Sequence, residues 1–145
     1  MGSLTLPTSG IIYLDTAPII YAVEKQLDFS PLLLPLWTAA KISPIKIMTS
    51  ELVLLETFVG PLKNNDLVLL GRYEQTLKAA DFELLPITAS LLRAAATVRA
   101  NFNLKTPDAI HAAAALHSGC VQFITNDSLF RRVTGLPVIV LSDLI

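Results

Sequence analysis

Ile11-Ile12-Tyr13-Leu14-Asp15-Thr16 is a short, unbroken apolar run that ends on an acid. A continuous β-favouring run without polar alternation fits a strand covered on both faces, as in a parallel sheet. Outward from it, Ile45 to Met48, Phe82 to Leu85, Val121 to Thr125 and Val138 to Leu141 read as four further strands. Helical stretches separate them. Pro18 suits the first turn of a short helix over Ile19 to Lys25, and Ser30-Pro31 starts a longer one to about Ala40 that Pro35 is expected to bend or divide. Thr49 or Ser50 can cap the next, with Gly60-Pro61 as its stop. Leu67, Leu70, Tyr73, Leu77 and Ala80 form an apolar stripe within a helix predicted over Leu62 to Ala80. Thr88 or Ser90 begins a helix to about Asn101, and Pro107 to His117 is an alanine-rich helix ended by Gly119. Leu129 to Val133 is a short helix. Strands alternating with helices specify an α/β fold: a central parallel sheet of about five strands with helices on both faces. Residues 1–9 read as a flexible leader and 10–145 as a single domain, without repeat or linker.

The composition narrows the class. The 145 residues are 52% hydrophobic and 16% charged, which suits a filled core and excludes disorder. No apolar run approaches the ~18 residues of a membrane span. The first residues lack the basic start and apolar block of a secretory signal. A single cysteine, Cys120, excludes an internal disulfide and a cysteine-rich zinc site, and fits a reducing cytoplasm. The net charge of −1 predicts no strong whole-molecule attraction to nucleic acid, so any such binding must use local cations and metal. Excess apolar surface points to a protein partner or self-association. The expected patch is Leu32, Leu33, Leu34, Leu36 and Trp37, too continuous for one amphipathic face.

Four acids stand where acids are costly. Asp15 and Asp127 follow predicted strands, and Glu56 and Asp108 belong to predicted helices. Each has a plain structural reading. Asp15 and Asp127 suit N-cap positions, as does Asn126. Asp108 sits in a first helical turn, after Thr106 as cap, where the helix dipole favours an acid. Glu51 has the same explanation. Glu56 lies four residues after Leu52 and three before Val59, beside an apolar face and past the first turn, so the dipole does not explain it. Taken together, the four can meet at the carboxyl edge of a parallel sheet, where ligands bind. Clustered carboxylates repel unless a cation compensates. Mg²⁺ and Mn²⁺ prefer such oxygen ligands, and an ion there can activate water and neutralise a phosphodiester.

The order and spacing of four segments resemble the PIN-domain ribonucleases, specifically the small VapC-type toxins of toxin–antitoxin pairs. They are Leu14-Asp15-Thr16, Ser50 to Glu56 before Gly60-Pro61, Thr106-Pro107-Asp108-Ala109-Ile110-His111 onward, and Thr125-Asn126-Asp127. The likeness spans about residues 10–141. It implies a PIN-like three-layer sandwich and places Asp15, Glu56, Asp108 and Asp127 at the metal-binding acid positions, with Thr16, Thr125 and Asn126 as supporting polar residues. It further implies Mg²⁺- or Mn²⁺-dependent RNA cleavage with one or two ions, frequent homodimers and inhibition by a cognate antitoxin protein.

Arg99, Lys105, Arg131 and Arg132 are candidate RNA-phosphate contacts or plain solvated charge. His111 lies one turn after Asp108, within reach of a site, but is read as a helix-surface or packing residue because a PIN site needs no histidine. His117 suits a helix end. No phosphate-binding glycine loop or nucleophile elbow occurs. The alternative to an endoribonuclease is a non-catalytic module of the same fold that binds RNA or protein. A phosphatase with an aspartyl nucleophile usually needs a second acid two residues after the first, where this chain has Ala17.

Overall fold

The computed structural model describes residues 2–145. Five strands form one parallel sheet: β1 Gly10–Leu14, β2 Ile45–Ser50, β3 Phe82–Leu85, β4 Gln122–Thr125 and β5 Val138–Val140. Six helices connect them: α1 Thr16–Val23, α2 Ser30–Ile42, α3 Leu52–Lys63, α4 Leu67–Leu77, α5 Ala89–Phe102 and α6 Thr106–Ser118. The spatial order is β3-β2-β1-β4-β5. The chain grows from β1 toward one edge and then returns to add β4 on the other side. The strand order therefore reverses between β1 and β4, and in open α/β sheets the crevice at that switch point is where ligands bind.

The two-residue period of β1 distributes its side chains between two cores. Tyr13 packs with Phe123, Phe130 and the faces of α5 and α6. Ile12 and Leu14 pack on the opposite side with Ile19, Leu33, Leu36, Val53 and Tyr73, which come from α1 to α4. Helix α6 buries seven consecutive residues, Ala109 to Ala115, because alanines let its backbone lie close to its neighbours. Gly119, with φ 69°, ends it in the left-handed conformation that favours glycine.

Several local expectations change. Gly60-Pro61 does not stop α3. Pro61 is buried inside the helix, and the chain turns later, at Asn65 with φ 52°. The loss of one N–H near a helix end is tolerated when packing holds the turn. Pro35 likewise leaves α2 continuous, clamped by buried Leu32, Leu33, Leu36 and Ala40. Those same leucines correct the expected surface patch: Leu32, Leu33 and Leu36 are core, and of the five residues only Leu34 is fully exposed. The exposed apolar strip lies instead along α3 and α4, at Leu55, Val59, Leu62, Leu67 and Val68. Residues 2–9 carry no helix or strand and touch the domain at three points. Leu4 is buried, Gly2 N donates to Leu144 O at 2.7 Å, and Gln122 Nε2 donates to Thr5 O at 2.6 Å.

Candidate functional site

The switch point sets Asp15 and Thr125 side by side. Asp15 is the N-cap of α1, and its Oδ1 accepts the Thr16 N–H at 2.8 Å. Its Oδ2 accepts the Thr125 hydroxyl at 2.7 Å across the β1–β4 seam. The N-cap reading and the crevice reading of Asp15 thus hold together. Burial raises the Asp15 carboxyl above its ordinary value, against the pull of His111, Thr125 and Thr16.

Asp127 follows β4 in a tight polar turn. Its N–H donates to Thr125 Oγ1 at 3.0 Å, and its Oδ1 accepts the Leu129 N–H at 2.9 Å, capping the 3-10 turn Ser128–Arg132. Thr125 therefore holds two acids at once: it donates to Asp15 and accepts from Asp127. Asn126 ties the same turn outward, with Nδ2 to Tyr21 Oη at 3.2 Å and Oδ1 accepting Ser142 N at 2.9 Å.

Glu56 reaches in from α3, beside the apolar face as its spacing predicts. Its Oε1 accepts Thr16 Oγ1 at 2.7 Å and His111 Nε2 at 2.8 Å. Burial would raise this carboxyl, but the hydrogen bonds from His111 and Thr16 and the His111 attraction outweigh it and hold it below its ordinary value. Asp108 sits in the first turn of α6, partly buried. Burial raises its carboxyl, and Asp15 and Asp127 raise it further by repulsion, with a smaller push from Glu56. Asp108 therefore lies within electrostatic reach of the other three acids.

Hard oxygen donors under mutual repulsion suit a hard divalent cation. Among the described residues, no three His, Cys, Asp or Glu side chains already stand in a ligating arrangement. Asp15, Glu56 and Asp127 are instead engaged by hydroxyl, imidazole and backbone donors, so the donor set fits the ion in chemistry while its oxygens are held by protein hydrogen bonds.

Of the two roles expected for His111, surface or packing, the structure shows packing, within reach of the acids. His111 is 1% exposed, not a helix-surface residue. Its Nδ1 meets Tyr13 Oη at 2.8 Å, and its Nε2 meets Glu56, Thr16 Oγ1 at 3.0 Å and, more distantly, Asp15 Oδ1 at 3.8 Å. A histidine within an alanine-rich helix buried on so many sides must find partners. That pattern was the available signal. Thr106 does not cap α6 either; the N-cap position is Lys105, without a side-chain bond. Glu51 is occupied elsewhere, accepting Ile87 N at 3.1 Å.

The candidate cations are in differing states. Arg99 donates to Leu104 O at 2.7 Å, Arg132 donates to Asn103 O at 3.2 Å, and Arg131 pairs with Asp143. Lys105 is exposed.

A parallel α/β domain with Asp15 and Asp127 joined through Thr125 at its switch point is the class that these observations define. The PIN-domain family model matches residues 12–136, and the chain belongs to that family. Members are generally nucleases. Solved structures share the fold. VapBC2 from Rickettsia felis, bound to a DNA fragment from its promoter, matches with a TM-score of 0.72 and 21% identity over 89% of this chain and 97% of that one. A toxin–antitoxin complex from Klebsiella pneumoniae matches with a TM-score of 0.64 and 22% identity over 88% and 95%. PAE2754 from Pyrobaculum aerophilum matches with a TM-score of 0.62 and 17% identity over 98% and 93%. No curated protein sequence matches significantly. No helix among the described residues is long and apolar enough to cross a membrane.

Proposed function

We infer that the protein is a metal-dependent endoribonuclease and the toxin of a toxin–antitoxin pair. The observation that carries this reading is the pairing of Asp15 with the Asp127 turn through Thr125 at the sheet's switch point, with Glu56 bonded to Thr16 next to Asp15 and Asp108 raised by burial and by its acidic neighbours. Asp15, Glu56, Asp108 and Asp127 would hold one or two Mg²⁺ or Mn²⁺ ions. A bound ion supplies Lewis-acid stabilisation of phosphodiester charge and activation of water. The chain's own residues prepare the site. Thr125 fixes the relative positions of Asp15 and Asp127 through its one hydroxyl. Thr16 fixes Glu56 against the start of α1, and Asn126 braces the Asp127 turn. Lys105 and the unengaged N–H groups of Arg99, Arg131 and Arg132 would supply phosphate contacts, which position a nucleic-acid backbone without reading its sequence.

The exposed strip of Leu55, Val59, Leu62, Leu67 and Val68 supports protein partners, a second copy and an antitoxin segment. The Klebsiella structure is a toxin–antitoxin complex, which supports the same partner class. Cleavage of RNA with and without divalent metal, by wild type and by Asp15→Asn, tests the reading. Metal-dependent cleavage lost in the variant is expected. A folded wild type that binds metal yet leaves RNA intact would favour the non-catalytic binding module.

A further inference from the structure

One buried polar group is not used by the four-acid site as such. His111 lies at the centre of a hydrogen-bonded chain that begins on Tyr13, in the core, and ends on Glu56, at the crevice. Tyr13 is 0% exposed, so its hydroxyl hydrogen must find an acceptor inside the protein. His111 Nδ1, at 2.8 Å, is that acceptor. Burial drives the Tyr13 phenol far above its ordinary range, which keeps it a donor. At the other end, an ionised Glu56 carboxylate can only accept. The proton between it and His111 therefore sits on Nε2. The two ends agree on one tautomer: Nδ1 accepts from Tyr13, and Nε2–H is shared between Glu56 Oε1 at 2.8 Å and Thr16 Oγ1 at 3.0 Å.

The rings are held as firmly as the proton. Tyr13 stacks on Phe123 at 5.4 Å between centroids, with 12° between planes, and meets His111 edge-on at 5.8 Å and 75°. Phe123 in turn packs on Phe130 at 4.7 Å. The imidazole cannot swing without disturbing this stack.

We propose that Tyr13 and His111 form a positioning relay, in which the Tyr13 hydroxyl locks the Nε2–H tautomer of His111 and this N–H fixes Glu56 beside Asp15 at the crevice. Neither residue touches substrate. They act through Glu56, as an outer hydrogen bond orients a metal-binding side chain. The relay rests on the metal-site reading above for its functional consequence, but its tautomer is a property of the protein alone.

The test uses the full chain carrying His117→Gln, which leaves His111 as the sole imidazole of the two in the sequence. Heteronuclear NMR of the ring nitrogens in metal-free buffer at neutral pH reads the tautomer directly. The relay predicts the Nε2–H form, and loss of that single form in Tyr13→Phe. A His111 locked as Nδ1–H, or a tautomer indifferent to Tyr13→Phe, overturns it. Calorimetry with Mn²⁺ reads the consequence. His111→Leu is expected to weaken Mn²⁺ binding by on the order of 10-fold or more. Tyr13→Phe should weaken it less, and His111→Gln, whose amide can donate to Glu56, should recover part of the loss. Equal Mn²⁺ affinity in wild type, Tyr13→Phe and folded His111→Leu overturns the relay. Should His111→Leu unfold, the near-isosteric Tyr13→Phe decides on affinity. A wild type that binds no Mn²⁺ sinks the nuclease reading instead, and the tautomer still decides the relay.

Discussion

The Thr125 hydroxyl donates to Asp15 Oδ2 at 2.7 Å and joins the ends of β1 and β4, the two strands between which the sheet order reverses. The same oxygen accepts the Asp127 N–H at 3.0 Å. One buried hydroxyl thus satisfies groups on both sides of the seam.

Thr125→Val keeps the shape and removes the hydroxyl. It leaves a buried carboxylate oxygen and a backbone N–H without partner, and should cost about 1–3 kcal/mol of stability. Chemical denaturation checks this. A change within ~0.5 kcal/mol, the range of surface substitutions, would mean that the seam does not depend on Thr125.

Asp108→Asn should stabilise the metal-free protein, because it removes a charge disfavoured by burial and by repulsion from Asp15 and Asp127. The expected gain is about 0.5–2 kcal/mol, as for other relieved functional sites. Millimolar Mn²⁺ should reverse the order by stabilising wild type more than the variant, since binding to the native state alone raises its stability. Thermal melts in chelator and in Mn²⁺ read both halves. A variant less stable than wild type in chelator contradicts the electrostatic account.

Glu51→Gln should be close to neutral for stability and cleavage. Glu51 is an acid of the same segment as Glu56, but its carboxylate accepts the Ile87 N–H, and a glutamine oxygen can do the same. Loss of cleavage in this variant would place Glu51, not Glu56, among the working acids.

The apolar strip on α3 and α4 predicts association. Leu55 is 68% exposed and Leu62 57% exposed, values that an isolated domain gains nothing from. Light scattering at tens of micromolar should give a dimer for wild type and a smaller species for the double variant Leu55→Lys, Leu62→Lys. A monomeric wild type, or a dimer untouched by both lysines, would move the interface elsewhere.

The strands and most helices were legible in the sequence because local pattern and tertiary role coincide there. Ile12 to Leu14 is buried on both faces and reads so. Gly119 ends α6 by its backbone freedom alone. Pro61 and Pro35 misled because packing at Pro61, Leu33 and Leu36 overrides a lost hydrogen bond, and packing partners are not local. Leu32 to Trp37 misled for a related reason: α2 is covered on more than one side, so a wide apolar face is core rather than surface. The acids stand out only as a set, since Asp15, Asp108 and Asp127 each suit a cap or first-turn position and Glu56 alone departs from what its segment prescribes. His111 does not, because its partners Tyr13 and Glu56 lie 98 and 55 residues away in sequence. Only its setting among buried alanines hinted that a polar ring there must be satisfied.

The most direct measurement of the central claim is cleavage of a single-stranded RNA by the purified chain, assayed in Mg²⁺ or Mn²⁺, in excess chelator, and with Asp15→Asn or Asp108→Asn checked for folding by circular dichroism. The account predicts cleavage in metal, none in chelator, and a loss on the order of 100-fold or more in either variant. Cleavage that persists in chelator, or at near wild-type rate in both folded variants, contradicts it.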